Sequence, residues 1–204
     1  MMIKFVYFDV GGVVILDLTA NNGWMKMKKD LGITPEKDVE FEEFFNKVES
    51  EVNVGLDIES LVPIMKDKFG LHFPKDYSLL TDFVKRFEQN KSIWPVINKI
   101  QKTCRIGLLT NMYPNMLDAI KNRRLLPKTD WDVIIDSSIE KVAKPNPEIF
   151  KLAEIKADVK GEEILFVENN KKSIEVARKL GWHTFLYDPN NLEKSNDELL
   201  MLFK

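Results

Sequence analysis

Ile3-Lys4-Phe5-Val6-Tyr7-Phe8-Asp9-Val10-Gly11-Gly12-Val13-Val14 is the stretch whose reading decides the fold. Apolar residues, many β-branched or aromatic, dominate it up to Phe8. That is the pattern of a strand buried on both faces. A carboxylate, Asp9, follows where the strand should end, and two glycines come at once after Val10. Paired glycines let the chain turn sharply and let backbone approach a ligand closely. In an open α/β sheet ligands bind beyond the carboxyl ends of the strands. Asp9 is thus placed where chemistry happens.

Outward from this strand, the pattern turns helical. Trp24, Met27 and Leu31 share a face closed by Gly32, and Thr34-Pro35 reads as a helix start. Phe41, Phe44, Phe45, Val48 and Val52 form a second stripe, broken at Gly55. Asp57 can cap the next helix, with Leu61, Ile64, Met65 and Phe69 on its face, and Leu79 to Phe87 carry another. From about Asp17 to Asn90 the pattern predicts helices only, packed as a small bundle. From Trp94 on, strands at Ile106–Leu109, Val133–Ile135, Ile164–Val167 and Thr184–Tyr187 alternate with helices, including one from Pro147 to about Ala157 capped by Asn146. That alternation predicts an α/β, doubly wound, Rossmann-like parallel sheet. Residues 1–16 and 91–204 should form its core and residues 17–90 an inserted helical domain. Asp188 to Asp197 reads as a surface loop before a short C-terminal helix.

The totals set bounds. The 204 residues, 44% hydrophobic and 30% charged, describe an ordinary globular chain. A formal net charge of −2 gives no reason to expect nucleic acid or an anionic membrane as partner. No apolar run approaches the ~20 residues of a membrane span. The start of the chain lacks the cleavage site of a signal peptide. The single cysteine, Cys104, excludes an intrachain disulfide, and a cytoplasmic setting is the expectation.

Three further polar residues stand at places equivalent to that of Asp9. Thr110 follows one buried strand, Glu168 follows another, and Lys144 precedes Pro145-Asn146-Pro147 at the mouth of a helix. Strand ends on one side of a parallel sheet converge, so these four side chains can share a site. Asp9 can act as a nucleophile. Asp9 and Glu168 can hold Mg²⁺ through oxygen. A hydroxyl and an ammonium can hold the charge of a phosphoryl group.

On these residues the sequence resembles the haloacid dehalogenase-like (HAD) hydrolase superfamily over essentially its whole length. Phe8-Asp9-Val10-Gly11-Gly12-Val13, Leu108-Leu109-Thr110-Asn111, Lys144-Pro145-Asn146-Pro147 and Phe166-Val167-Glu168-Asn169-Asn170 are similar to its four motifs, in order. The helical insert falls where the family places its C1-type cap. The resemblance implies a phosphatase acting on a small phosphorylated metabolite. By that resemblance Asp9 would attack phosphorus and form an aspartyl-phosphate, which water would hydrolyse. It implies Mg²⁺ held by Asp9, Glu168 and the backbone carbonyl of Gly11. It further implies phosphoryl oxygens neutralised by Thr110 and Lys144, with Gly11, Gly12 and Asn111 beside them and Asn169 and Asn170 behind.

Two departures from that pattern carry consequences. Gly11 stands where the usual phosphatase has a second Asp, the general acid for the leaving group and base for water. A positioned acid–base group is worth ~10²–10⁴-fold, so esters with good leaving groups should suffer least from its loss. Asn169 stands where a second motif carboxylate is usual, which lowers the site's negative charge and should weaken Mg²⁺ binding. Two alternatives stand beside the phosphatase. One is a metal-independent 2-haloacid dehalogenase, against which Glu168 argues. The other is a HAD fold retained for binding or regulation without turnover.

Other residues read more plainly. His72 and His183 lack partners at ligand spacing, and Cys104 fits an apolar helix face. Lys141, three residues before Lys144, reads as a solvated surface residue. Asn90-Lys91-Ser92 matches a glycosylation acceptor that a cytoplasmic protein would not use. Trp24 and Tyr113 are open to either pocket or packing roles. Substrate identity and oligomeric state are not legible.

Overall fold

The computed structural model describes residues 2–20 and 22–203; Met1, Asn21 and Lys204, two of them the outer ends of the expected core, lie outside the described residues. The chain begins with β1 (Phe5–Phe8) and β2 (Ile15–Leu16). Four helices follow: α1 (Gly23–Leu31), α2 (Pro35–Val52), α3 (Leu61–Phe69) and α4 (Leu79–Lys85). Then come β3 (Glu88–Gln89), α5 (Trp94–Ile100), β4 (Arg105–Thr110), α6 (Met116–Asn122), β5 (Val133–Asp136) and α7 (Ser137–Glu140). The chain closes with α8 (Pro147–Ala157), β6 (Ile164–Glu168), α9 (Lys171–Lys179), β7 (His183–Leu186) and α10 (Leu192–Met201).

Five strands form one parallel sheet in the order β5-β4-β1-β6-β7. The opening stretch is its centre. Phe8 lies opposite Leu108 on one side and Val167 on the other. Side chains of a strand alternate between faces. Val6 and Phe8 accordingly join the apolar cluster on one side, and Phe5 and Tyr7 join the cluster under α8 and α9 on the other. All four are fully buried, each contributing about 1.5–3 kcal/mol of apolar burial. The chain leaves β1 toward β4 and β5, then crosses back to β6 and β7. The strand order therefore reverses between β1 and β6, and a cleft opens there beyond their carboxyl ends. Asp9 and Glu168 stand at those two ends.

The insert differs from an all-helical segment at its edges. β2 pairs antiparallel with β3, Ile15 opposite Gln89 and Leu16 opposite Glu88. This two-residue ladder clips together the points where the four helices leave and rejoin the core. A strand that short shows no period, which is why the sequence pattern hides it. Inside the insert Trp24 packs on Phe45 with ring centroids 4.7 Å apart, and Phe41 packs edge-on to Phe69 at 5.2 Å. Phe83 meets Tyr113 of the core at 5.7 Å.

Asn90 fastens the return from the insert. It is 1% exposed, and its Nδ2 donates to the Val13 carbonyl at 2.7 Å and to the Tyr187 hydroxyl at 3.1 Å. The Ser92 hydroxyl donates to Asn90 Oδ1, and Tyr187 donates to Asn196. Its side-chain amide is thus spent on the fold rather than offered as a glycosylation acceptor. Removing a buried donor orphans its partners at ~1–3 kcal/mol. Asn90→Ala is expected to lower the unfolding free energy by about 2 kcal/mol, read from urea denaturation; an unchanged midpoint would contradict this role.

The C-terminal region is more helical than its composition indicates. α10 starts at Leu192, inside the stretch read as a loop to Asp197. Its buried face includes Ser195 and Asn196, so no apolar stripe marks it. α7 was equally invisible, because four residues span barely one turn. Among the described residues no helix is long and apolar enough to cross a membrane.

Candidate active site

Asp9 is the first residue past β1, where the ladder ends. Its backbone N–H still donates to the Val167 carbonyl at 2.9 Å, which fixes the residue against β6. Its Oδ1 accepts from the N–H of Val10 at 2.8 Å and pairs with Lys144 Nζ at 2.9 Å. Among the described residues Oδ2 takes no hydrogen bond, so one lone oxygen faces outward.

Lys144 is held from behind. Asn111, just past β4, accepts the Lys144 N–H on Oδ1 at 2.8 Å and donates Nδ2 to the Lys144 carbonyl at 2.9 Å. The Asn111 side chain therefore clamps Lys144 backbone, whereas the sequence reading put it on the phosphate. Asn146 caps α8 as expected, accepting from the Glu148 N–H.

Glu168 ends β6 and is completely buried. Its Oε1 accepts from the N–H groups of Asn169 and Asn170 at 2.8 and 2.9 Å, and its Oε2 pairs with Lys144 Nζ at 2.6 Å. One ammonium thus sits between two carboxylates, with side-chain exposures of 13% for Asp9, 4% for Lys144 and 0% for Glu168. Burial works against the charge of Lys144, but the two carboxylates outweigh it and hold the ammonium above its ordinary range. Glu168 is pushed up to about 7: burial contributes most and the charge of Asp9 adds, against the pull of Lys144 and the backbone N–H. Both members of the pair shift upward because Lys144 faces two anions while Glu168 faces one cation and one anion.

A pH dependence follows. A raised folded value means that the native state keeps a proton the unfolded chain has released. That stability is present at low pH and lost as pH rises from the ordinary 4.5 toward 7. In metal-free buffer the wild type is expected to lose on the order of 2–3 kcal/mol of stability between pH 5 and 8 relative to Glu168→Gln. Parallel pH profiles for the two proteins in chemical denaturation would contradict this.

These groups open onto a cavity of about 1310 Å³ between the sheet and the insert. Asp9, Gly11, Asn111, Lys144, Glu168, Asn169 and Asn170 line its floor. Thr110 and Gly12 were expected on the phosphate, but neither is among the lining residues. Thr110 ends β4 with no exposed surface, and its hydroxyl has only a 3.5 Å contact to the Asn111 carbonyl. Gly12, at φ +73°, lies under Asn169, whose Nδ2 is 2.0 Å from where a Cβ on Gly12 would stand. Asn170 accepts from Lys172 and Ser173 N–H and caps α9. Lys141 is exposed, yet it lines the cavity mouth.

The insert supplies the roof. Trp24 and Tyr113 line the cavity and also pack. Trp24 Nε1 donates to Glu42 at 2.7 Å, and the Tyr113 hydroxyl donates to Glu49 at 3.2 Å. Burial raises the Glu49 carboxyl. Asp17, the first residue after β2, also reaches the cavity. Crowding by protein atoms raises its carboxyl, and the charge of Asp9 adds to this against the hydrogen bonds of Thr19, although the side chain keeps contact with solvent in the cleft. Sequence reasoning passed over Asp17 as the edge of the insert. The signal was there: the apolar run Val13–Leu16 has to fold back over the glycine turn, and a carboxylate ends it.

A hard cation fits the chemistry of this floor, since Asp9, Glu168 and the carbonyl of Gly11 are all oxygen donors. Mg²⁺ commonly needs only one or two carboxylates beside substrate oxygens and waters. Among the described residues no three His, Cys, Asp or Glu side chains converge as a ready-made metal cluster.

Residues 3–181 match the family model described as haloacid dehalogenase-like hydrolase. The chain belongs to this family of hydrolases. It is 30% identical over 128 residues to acyl-CoA dehydrogenase family member 10 of Mus musculus, a match spanning 61% of this chain and 12% of that protein. In fold it is similar to a predicted HAD-like family hydrolase of Porphyromonas gingivalis, at 23% identity and a TM-score of 0.76 over 98% of each chain. It is also similar to a HAD family enzyme of Bacteroides thetaiotaomicron solved with magnesium and inorganic phosphate. That likeness has 19% identity and a TM-score of 0.74 over 91% of this chain and 94% of that one.

Proposed function

We propose that this hydrolase is a Mg²⁺-dependent phosphatase of small phosphorylated metabolites, acting through an aspartyl-phosphate on Asp9. The observation that carries the reading is the posture of Asp9. Lys144 and the Val10 N–H hold Oδ1, and Oδ2 is left unpartnered on the floor of the cavity. A carboxylate fixed by one oxygen and open at the other is positioned for in-line attack. Lys144 keeps its charge and offsets that of the phosphoryl oxygens. Asp9, Glu168 and the Gly11 carbonyl would hold Mg²⁺, which supplies charge neutralisation at the phosphoryl group.

The roof bears on the substrate class. Its polar residues include Glu42, Asn46, Glu49, Ser50 and Asn53, and among the described residues none of the insert's lining is Lys or Arg. A second phosphate or a carboxylate on the substrate would meet acidic side chains there. A neutral, hydroxyl-rich alcohol would meet hydrogen-bond acceptors. Sugar and polyol monophosphates are therefore the expected substrates. A panel of phosphate monoesters assayed with Mg²⁺ and with EDTA tests this. Hydrolysis of neutral-alcohol monophosphates that EDTA abolishes supports the proposal. Activity that survives metal removal, or none across the panel, overturns it.

A further inference from the structure

Breaking a phosphate ester of an ordinary alcohol leaves negative charge on the departing oxygen. A carboxylic acid beside that oxygen removes the charge by proton transfer. Five carboxylates line the cavity. Asp9 is the nucleophile. Glu168 has both oxygens bonded, to two backbone N–H groups and Lys144. Glu42 is tied to Trp24 and Lys28, and Glu49 to Tyr113.

Glu42 and Glu49 each keep one oxygen without a hydrogen bond among the described residues, as Asp17 does, and what sets Asp17 apart is its place beside Gly11. Its Oδ1 is anchored by the Thr19 N–H at 2.9 Å and the Thr19 hydroxyl at 2.5 Å. Among the described residues its Oδ2 takes no hydrogen bond. That oxygen lies 2.3 Å from the point where a Cβ on Gly11 would stand. An aspartate side chain at position 11 would carry its own carboxylate oxygens about 2.4 Å from its Cβ, two bonds away. The Asp17 oxygen therefore lies at the radius from that point that a carboxylate grown from position 11 would reach. Gly11 is the residue that leaves the space around that point open, two positions past the nucleophile. Asp17 also follows β2 directly, and β2 is clipped to β3 at the root of the insert. The carboxylate is thus delivered from the joint between sheet and insert.

Resting on the phosphatase reading above, we propose that Asp17 is the general acid and base of this site, supplied from the edge of the insert in place of a side chain at position 11. Asp9 Oδ2 attacks phosphorus, and the bond from phosphorus to the substrate oxygen breaks. The electron pair stays on that oxygen, which takes the proton of the Asp17 carboxyl and leaves as an alcohol. In the second half a water oxygen bonds to phosphorus, and its proton passes to the Asp17 carboxylate. The bond from phosphorus to Asp9 breaks, releasing inorganic phosphate and restoring both residues.

Asp17→Asn keeps the Thr19 anchor and removes the transferable proton. Wild type, Asp17→Asn and Gly11→Ala are compared on p-nitrophenyl phosphate and phenyl phosphate, with thermal melting as the check on folding. Asp17→Asn is expected to lose about 10²–10³-fold in kcat/KM on phenyl phosphate and less than about tenfold on p-nitrophenyl phosphate. On the latter it should release one p-nitrophenol per site in a burst and then turn over slowly, because water is no longer activated. Gly11→Ala, whose methyl pushes the carboxylate aside, should show the same leaving-group bias with Asp17 chemically intact. Equal losses on both esters, or no loss, overturn the inference while leaving the phosphatase standing. Wild-type hydrolysis that Asp9→Asn does not change overturns the phosphatase reading, and this inference with it.

Discussion

Asp9→Asn is expected to abolish turnover of p-nitrophenyl phosphate, lowering kcat/KM by about 10⁴-fold or more, as loss of a covalent nucleophile does elsewhere. The fold should be nearly untouched. Asn keeps an oxygen for the Lys144 ammonium and for the Val10 N–H, the two partners of Oδ1. Lys144 retains Glu168 at 2.6 Å. The melting temperature should therefore stay within a few degrees of wild type, and that separation of activity from stability is the informative part. A variant that hydrolyses the ester at the wild-type rate would show that Asp9 is not the nucleophile. It would also favour the alternative of a HAD fold kept for binding, to which the full engagement of Glu168 and the neutral Asn169 lend weight.

Lys144→Met should do the opposite and damage both properties. The thioether keeps much of the stem, but Asp9 and Glu168 then face one another in a buried space with no cation between them. Removing one partner from a buried ion pair costs about 3–5 kcal/mol, because a desolvated charge is left behind. Part of that loss should return as pH falls, since protonating Glu168 removes the uncompensated charge. This is the sign set by burial and by Asp9, which already raise its carboxyl in the wild type. Hydrolysis should fall at least 10²-fold at every pH, because the phosphoryl oxygens lose their cation. A urea midpoint within about 1 kcal/mol of wild type, with no recovery at low pH, would contradict the account of the triad.

The architecture was legible because its central strand is buried on both faces and carries no alternation to confuse with a helix. Asp9 and Glu168 were legible for a related reason: strand ends in a parallel sheet converge, so position along the chain stands in for position in space, whereas Lys144, in the loop before α8, was marked by the Pro145-Asn146-Pro147 that follows it. Thr110 ends β4 as Glu168 ends β6, but its buried side chain is not among the residues that line the cavity. Asn111 was placed beside the phosphate by the resemblance alone, but an amide offers a donor and an acceptor, and both ends bond Lys144 backbone. Asp17 was hidden because its neighbour in space, Gly11, is defined by the atoms it lacks. The ladder of β2 and β3 and the start of α10 left no period to detect.

The most direct test of the phosphatase mechanism is to trap its intermediate. Wild-type protein with Mg²⁺ is mixed with a radiolabelled acyl or aryl phosphate, quenched in acid within a turnover, digested and mapped. The account predicts label on the peptide containing Asp9, and none in Asp9→Asn. Hydrolysis without label on that peptide, or label on a different residue, would contradict it.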